Sequence, residues 1–236
     1  MSGSASAWAD RTIPWASLLA LAVAGLLALA IGLLPVTRSL LLVLGSAAVL
    51  AVLVEPRLGV LLIIPAVPFG SLASVRVGVI TVGPTEVLIV LILAGWVMRM
   101  VVKREIRWTW PPLSLPLAVF LGALLLSSLH AASLEHSLKE MLKWIEVLVL
   151  YVFVANELDR RWARLLVGVL LLTGAAVAMQ GIYQFLFQVG PEGFVLFGRY
   201  MRAYGTFEQP NPYGGYLGLT LPVAAGILAA WVLPSA

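Results

Sequence analysis

The sequence contains no cysteine and, in 236 residues, only two histidines, His130 and His136. A chain without cysteine has no disulfide framework, no thiolate metal site and no cysteine nucleophile. Two histidines also argue against a histidine-rich metal site. We therefore predict a protein that uses no metal and no cofactor.

Charge is scarce as well. Asp, Glu, Lys and Arg make up 11% of the residues and apolar residues 61%, whereas soluble domains average about 25% charged and about 45–50% apolar residues. The mean hydropathy of +1.03 agrees with this imbalance. The net charge of +4 comes from basic residues in short loops between apolar runs. Membrane topology explains such a distribution better than nucleic-acid binding does, so we predict a lipid bilayer as a partner and no nucleic acid.

Apolar runs bounded by proline, glycine and charge predict an all-α fold, a polytopic transmembrane helical bundle that forms a single membrane domain over residues 1–236. Helices are expected because isolated strands leave their backbone groups unpaired in lipid. The first run is too long for the apolar core of a cleaved signal peptide, which is about 7–15 residues. The third contains Pro65 and Pro68 and is expected to be short, kinked or re-entrant. The eight predicted spans are about 15–34, 38–54, 58–70, 85–102, 113–130, 139–156, 163–187 and 213–232.

Lysine and arginine set the expected orientation. The two densest basic clusters, 99–107 and 160–164, are separated by two predicted spans and so fall on the same face, as the positive-inside rule requires. We therefore expect a cytoplasmic N-terminus, with the loop at 188–212 on the outer face. The inner set is Arg11, Arg57, Arg99, Lys103, Arg104, Arg107, Arg160, Arg161 and Arg164, and the outer set is Arg38, Arg76, Lys139, Lys143, Arg199 and Arg202.

Two of the predicted spans carry polar stripes. In the sixth, Glu135, Lys139, Lys143 and Glu146 recur every three or four residues, so opposite charges can pair on one face. This face either lines a substrate cavity, with Lys143 and Glu146 as the deepest contacts, or is an ion-paired helix end that reaches the outer interface.

The seventh predicted span carries glutamines at 180, 184 and 188. Amides in a membrane span hydrogen-bond either to a neighbouring helix or to a sugar or phosphate group. We regard Gln184 as a candidate substrate-binding residue. Between Val75 and Glu86, alternating residues predict a short extended segment, either a surface hairpin or an interfacial loop, followed by a helix that starts at Thr85.

The most informative stretch is 198–216, where polar residues, prolines and glycines collect between two apolar runs. The guanidinium groups of Arg199 and Arg202 can each bind phosphate oxygens through two parallel hydrogen bonds. Thr206 offers a hydroxyl and Asn211 an amide, and the free backbone N–H groups at the start of the last predicted span favour an anion. The stretch is interpreted either as an anion-binding cradle or as a solvated loop whose cations lie near lipid headgroups.

This stretch resembles the O-antigen ligase family, which is sometimes described together with O-antigen polymerases. The family carries an Arg-x-x-Gly-Thr-Phe-x-x-Pro-Asn-x-x-Gly-x-Tyr type pattern at the start of a span, and about residues 110–232 are similar to it in layout. The positions that match in spacing are Arg202, Gly205, Thr206, Phe207, Pro210, Asn211, Gly214 and Tyr216.

The resemblance implies a metal-independent glycosyltransferase in the bacterial cytoplasmic (inner) membrane. Such an enzyme moves a glycan from an undecaprenyl-diphosphate carrier to a glycan acceptor during synthesis of cell-surface polysaccharide. By the same resemblance Arg202 is the catalytic residue that engages the diphosphate. Ligase and polymerase activity both remain open.

The sequence departs from the family after the last predicted span. Family members continue with a large outer loop, which often bears a catalytic histidine, and with further spans. This chain ends at Ala236, and both of its histidines precede the motif. We therefore expect a fragment or a truncated frame that lacks transferase activity. Two alternatives stay open: half of a polytopic transporter or permease, suggested by the polar stripes and the proline-containing third span, and a structural membrane subunit.

Overall fold

The computed structural model describes residues 35–70, 75–77, 80–104, 108–131 and 133–232, together with residue 25. Apart from that residue, the first predicted span lies outside the described part. The helices with described bounds are α1 (Val36–Val54), α2 (Pro56–Phe69), α3 (Pro84–Lys103), α4 (Ser114–Ser128), α5 (Leu134–Glu157), α6 (Arg160–Phe187) and α7 (Pro210–Val232).

Two small antiparallel hairpins complete the secondary structure of these residues. In the first, β1 (Val75–Val77) pairs with β2 (Ile80–Val82), and Val75 lies opposite Val82. Of the two forms predicted between Val75 and Glu86, a hairpin or an interfacial loop, the structure has the hairpin. In the second, β3 (Val195–Leu196) pairs with β4 (Tyr200–Met201).

Four helices, α1, α3, α6 and α7, are long and apolar enough to cross a membrane. Their mean hydropathies are 2.1, 2.1, 2.1 and 1.6. They make the chain a helical membrane protein, which confirms the predicted fold class at that level. Among the described residues, α2 and α4 have 14 and 15 residues and are shorter than a typical span of about 20.

Several helices begin before the apolar run that predicted them, because polar residues cap and form their first turns. Ser133 caps α5, whose first residue, Leu134, precedes the predicted start at 139. Asp159 caps α6, where its carboxylate accepts hydrogen bonds from the backbone N–H groups of Arg161 at 2.8 Å and Trp162 at 3.0 Å. The hydrogen bond from Trp162 is the main reason that the pKa of Asp159 is lowered.

The chain divides into two compact units, residues 1–50 and 51–236. The described residues of the first unit, apart from residue 25, are Pro35 and the part of α1 up to residue 50. In the second unit α2 packs against α3, α5 and α6, α4 packs against α5, and α7 packs against α6. The buried apolar cluster of this unit comprises Val52, Val60, Ile63, Ile89, Ile92, Trp96, Val152 and Phe153.

Small residues let α2 and α3 approach closely. A Cβ added at Gly95 of α3 would lie 2.9 Å from Pro56 Cγ of α2, and a Cβ at Gly59 of α2 would overlap the side chain of Ile92 of α3. Close backbone approach through glycine is a common way for helices to associate in membranes, where burial of apolar surface gives little driving force.

An ion-pair network, hereafter the Glu55 network, joins α2, α3 and α5 at one end of the second unit. Glu55 precedes α2, and one of its carboxylate oxygens lies 2.8 Å from Arg99 Nη1 and 3.4 Å from Arg57 Nε. Glu157 accepts a hydrogen bond from Trp96 Nε1 at 2.9 Å and lies 3.9 Å from Arg57 Nη2. The network therefore comprises two carboxylates, two guanidinium groups and one indole.

The first turn of α6 contacts the same network. The guanidinium carbon of Arg57 lies 5.7 Å from the ring centroid of Trp162, a distance at which a cation is attracted to an aromatic face. Basic residues that the sequence assigned to one membrane face thus lie around one end of α6. They are residues 57, 99 and those of 160–164.

Candidate functional site

The candidate site is the loop of residues 188–209, which connects α6 to α7. It contains a single 3₁₀ turn, Glu192–Phe194, followed by the β3–β4 hairpin, in which Val195 lies opposite Met201. The chain reverses at residues 197–199, where Phe197 and Gly198 have φ angles of 53° and 66°. The hairpin brings Arg202 back toward α6, and its backbone N–H donates to the carbonyl of Phe194 at 2.9 Å.

Gln184 holds this loop against α6. Only 4% of its surface is exposed. Its amide oxygen accepts hydrogen bonds from the backbone N–H groups of Tyr204 at 3.0 Å and Gly205 at 2.8 Å, and its amide nitrogen donates to the carbonyl of Gly205 at 2.8 Å. The sequence suggested Gln184 as a substrate-binding residue. In the structure its buried amide bonds to the loop backbone, so Gln184 holds the loop that forms the candidate site.

Gln188 acts in the same way at the end of α6. Its amide oxygen accepts a hydrogen bond from the backbone N–H of Met201 at 3.0 Å, and its amide nitrogen donates to the carbonyl of Phe185. Sequence reasoning offered two partners for the glutamine stripe, another helix or a ligand. In the structure Gln184 and Gln188 bond to the loop backbone and not to a neighbouring helix, because the loop that follows α6 folds back over that face of the helix.

The ring of Tyr213, in the first turn of α7, fills the space between α6 and the loop. Gly205 has a φ angle of +58°, and a Cβ there would lie 2.6 Å from Tyr213 Cδ2. A Cβ at Gly181 would overlap the hydroxyl of Tyr213. The group that lies closest to Gly205 is therefore this aromatic ring. Sequence reasoning missed Tyr213, and the available signal was the shared seven-residue spacing of Gly174–Gly181 and Tyr213–Thr220.

Arg202 and Asn211 are brought together at the start of α7. One guanidinium nitrogen, Arg202 Nη2, donates to the side-chain oxygen of Asn211 at 3.0 Å, and Arg202 is exposed. Asn211 is the second residue of α7. Pro210 and Pro212 have no backbone N–H, so the donors of this first turn are the N–H groups of Asn211 and Tyr213. Such N–H groups at the start of a helix have no intrahelical acceptor and carry a partial positive charge. A guanidinium with five N–H donors is thus fixed beside a second source of positive potential.

Arg199 and Thr206 occupy different parts of the loop. Arg199 is exposed at the end of the hairpin turn, with its guanidinium carbon 5.4 Å from the ring centroid of Tyr200. Thr206 is 9% exposed and follows Gly205 in the turn that leads to α7. In the described part of the chain, Arg199 makes no hydrogen bond to Arg202 or to Asn211.

The charged stripe of α5 forms local ion pairs. Lys139 Nζ lies 2.6 Å from Glu135, and this hydrogen bond lowers the pKa of the Glu135 carboxyl. Lys143 pairs at 2.7 Å with Glu140, a residue outside the predicted stripe. Among the residues that the structure describes, neither Lys143 nor Glu146 bonds to the 188–209 loop.

An open hollow of about 460 Å³ lies at the start of α4, and no residue of the 188–209 loop belongs to its lining. Its walls are apolar apart from Ser114, and it contains no charged side chain. The residues that line it are Trp110, Pro111, Pro112, Ser114, Leu115 and Ala118. Over the described ranges, no group of three or more Asp, Glu, His or Cys side chains is placed to hold a metal ion.

The fold and this loop together describe a helical membrane protein with an exposed arginine at the start of a helix as its candidate site. Comparisons with protein-family models, with curated proteins and with solved structures find no match to the chain.

Proposed function

We propose that the 188–209 loop and the start of α7 bind the diphosphate of a lipid-linked glycan, as the donor-binding part of an O-antigen ligase-like glycosyltransferase. The observation that carries the proposal is the placement of Arg202, which is exposed and held by Asn211 at the start of α7. A guanidinium beside free helix N–H groups suits phosphate oxygens in charge and in geometry.

The chemistry fits this placement. When a glycan leaves a diphosphate carrier, negative charge develops on the diphosphate. A fixed cation stabilises that charge without reorganising at the moment of reaction. Gln184, Gln188 and Tyr213 support this role because they hold the loop that carries Arg202.

We place this site on the outer face of a bacterial cytoplasmic membrane, in a chain of about eight spans with a cytoplasmic N-terminus. The Glu55 network and the first turn of α6 collect basic residues of the inner set at one end. The loop is bonded to the other end of α6, and a helix of 28 residues rises about 42 Å, enough to cross a bilayer.

The transporter alternative lacks comparable support. It rested partly on a third span broken by Pro65 and Pro68, because transporters build substrate sites at unwound helices. α2 runs as one helix from Pro56 to Phe69 with both prolines inside it.

The test is binding of undecaprenyl diphosphate to the 236-residue chain in nanodiscs, with undecaprenol as the ligand that lacks phosphate. Loss of a charge-assisted pair costs about 1.5–3 kcal/mol, so we expect Arg202→Gln to weaken binding at least about tenfold. The affinity of Arg202→Lys should lie between those of the wild type and Arg202→Gln, since an ammonium keeps the charge and loses the bidentate geometry.

Arg164→Gln provides the matched control, because it removes an exposed arginine near the opposite end of α6. It should leave binding unchanged. Equal affinity of the wild type for the diphosphate and for undecaprenol, or equal losses in the Arg202 and Arg164 variants, would contradict the proposal.

A further inference from the structure

The tip of the β3–β4 hairpin presents an unusual aromatic residue. Phe197 is 93% exposed, and its φ of 53° lies in the left-handed region that side chains with a Cβ rarely adopt. Glycine is the usual residue at a positive φ, and the next residue, Gly198, follows that rule whereas Phe197 does not. A bulky apolar side chain is therefore held in a strained conformation at the exposed tip of the hairpin, which suggests a function for it.

The residues around the tip have the composition of a membrane-interface element. Leu196 and Tyr200, which pair across the hairpin, are 44% and 45% exposed. Arg199 lies against the Tyr200 ring, so a cation and an aromatic ring with a polar end flank the apolar tip. Aromatic rings and arginines with apolar stems are enriched at the headgroup level of bilayers.

We propose that the hairpin tip inserts into the headgroup and acyl boundary of the bilayer, with Phe197 as the inserted side chain and Arg199 at the level of lipid phosphates. Both ends of the 188–209 loop continue into helices long and apolar enough to span a membrane, α6 and α7, so the loop is tethered at the bilayer surface. The positive charge of Arg199 complements anionic phospholipid headgroups.

Insertion would hold the loop close to the surface where a lipid-linked substrate lies. The inference does not depend on the proposed function. It concerns Phe197 and Arg199, whereas diphosphate binding is assigned to Arg202, and each can fail without the other.

The absence of cysteine permits a direct test. A single reporter, Leu196→Cys, is placed beside the tip in nanodiscs that contain one copy of the chain, and its labelling by a membrane-impermeant maleimide is timed. A second reporter, Glu192→Cys, lies at the exposed base of the hairpin and serves as the control. We expect the Leu196→Cys thiol to react about tenfold more slowly than the Glu192→Cys thiol, because an inserted segment is shielded from water.

Replacing Phe197 with serine isolates the role of the tip. In the Phe197→Ser background the Leu196→Cys thiol should react nearly as fast as the Glu192→Cys thiol, whose own rate should not change. Equal rates at the two reporters with Phe197 present would overturn the inference. Protection of the Leu196→Cys thiol that appears only in discs with two copies would also overturn the inference, because a second copy of the chain would then cover the tip in place of lipid.

Arg199 is tested by lipid composition. Anionic discs should slow labelling of the Leu196→Cys thiol about fivefold relative to zwitterionic discs. The attraction of one arginine to an anionic surface shifts the insertion equilibrium by about that factor. The Arg199→Gln variant should lose this difference and keep the protection given by Phe197. A difference that persists in Arg199→Gln would remove Arg199 from the inference.

Discussion

Single amide side chains do much of the positioning in this protein. Gln184 makes three hydrogen bonds to the backbone of Tyr204 and Gly205. Asn156 does the same elsewhere, since its amide accepts hydrogen bonds from the backbone N–H and hydroxyl of Thr109 and donates to the Thr109 carbonyl. An amide suits this task because it satisfies a backbone donor and a backbone acceptor at once. The segments at Tyr204 and Thr109, which lie outside helices and strands, are thereby fixed by side-chain amides.

Gln184→Met tests this role, since methionine has similar length and lacks hydrogen-bonding groups of comparable strength. The exchange leaves two N–H groups and one carbonyl of the loop without a partner, and each such buried group costs about 1–3 kcal/mol. We expect hydrogen exchange at the amides of Tyr204 and Gly205 to accelerate at least about tenfold.

Gln180→Met is the control for that variant, because Gln180 lies one turn earlier in α6 and is half-buried. Its effect on those two amides should be small. If both variants leave exchange at Tyr204 and Gly205 unchanged, the loop is held by something other than Gln184.

At the scale of elements, the packing of α6 against α7 depends on small residues facing larger ones at the same spacing. Gly181 faces the Tyr213 ring, and seven residues earlier in α6 a Cβ on Gly174 would lie 3.5 Å from Thr220 Cβ. The ring of Tyr213 also contacts Gly205, so one side chain sets the spacing of both helices and the loop. In lipid, where apolar surface alone does not hold helices together, such close contacts carry much of the association.

Gly181→Ala should therefore destabilise the protein, since its Cβ meets the Tyr213 hydroxyl and overpacking typically costs about 1–3 kcal/mol. Gly168→Ala, in the same helix, is the matched control because a Cβ there meets no atom within 4 Å. It should be neutral or stabilising by up to about 1 kcal/mol, since alanine favours helix over glycine. Unfolding in mixed micelles gives the free energy of unfolding of both variants. Destabilisation of equal size in the two would count against the proposed packing of Gly181 on Tyr213.

At the scale of the whole molecule, long-range polar bonds lie near both ends of α6. The Glu55 network joins α2, α3 and α5 near its first residues, and the loop carrying Arg202 is bonded near its last. The side chains of Arg57, Arg99, Glu55 and Glu157 are 24–30% exposed, so water screens these ion pairs less than it screens surface pairs. The network is the principal polar connection among these helices in the described part of the chain.

Glu157→Gln removes one negative charge and leaves the two guanidinium groups sharing Glu55. We expect a loss of about 1 kcal/mol in the free energy of unfolding, more than an exposed pair gives and less than a fully buried one. Glu140→Gln breaks the exposed Lys143 pair, whose side chains are 67% and 61% exposed, and should cost less than about 0.5 kcal/mol. Denaturant unfolding of both variants in micelles ranks the two effects, and the reverse order would exclude the Glu55 network as a stabilising connection.

The sequence by itself determined that this is a helical membrane protein and located most of its helices, because hydropathy and capping are local properties that a short window of residues carries. It also singled out Arg202 and Asn211 by residue type. Only the tertiary structure decided what the buried polar groups contact. The partners of Gln184 lie 20 and 21 residues away from it, and Trp96 and Glu157, which bond to each other, are 61 residues apart. Such bonds depend on which helix faces meet and where a loop folds back, and no local pattern encodes that.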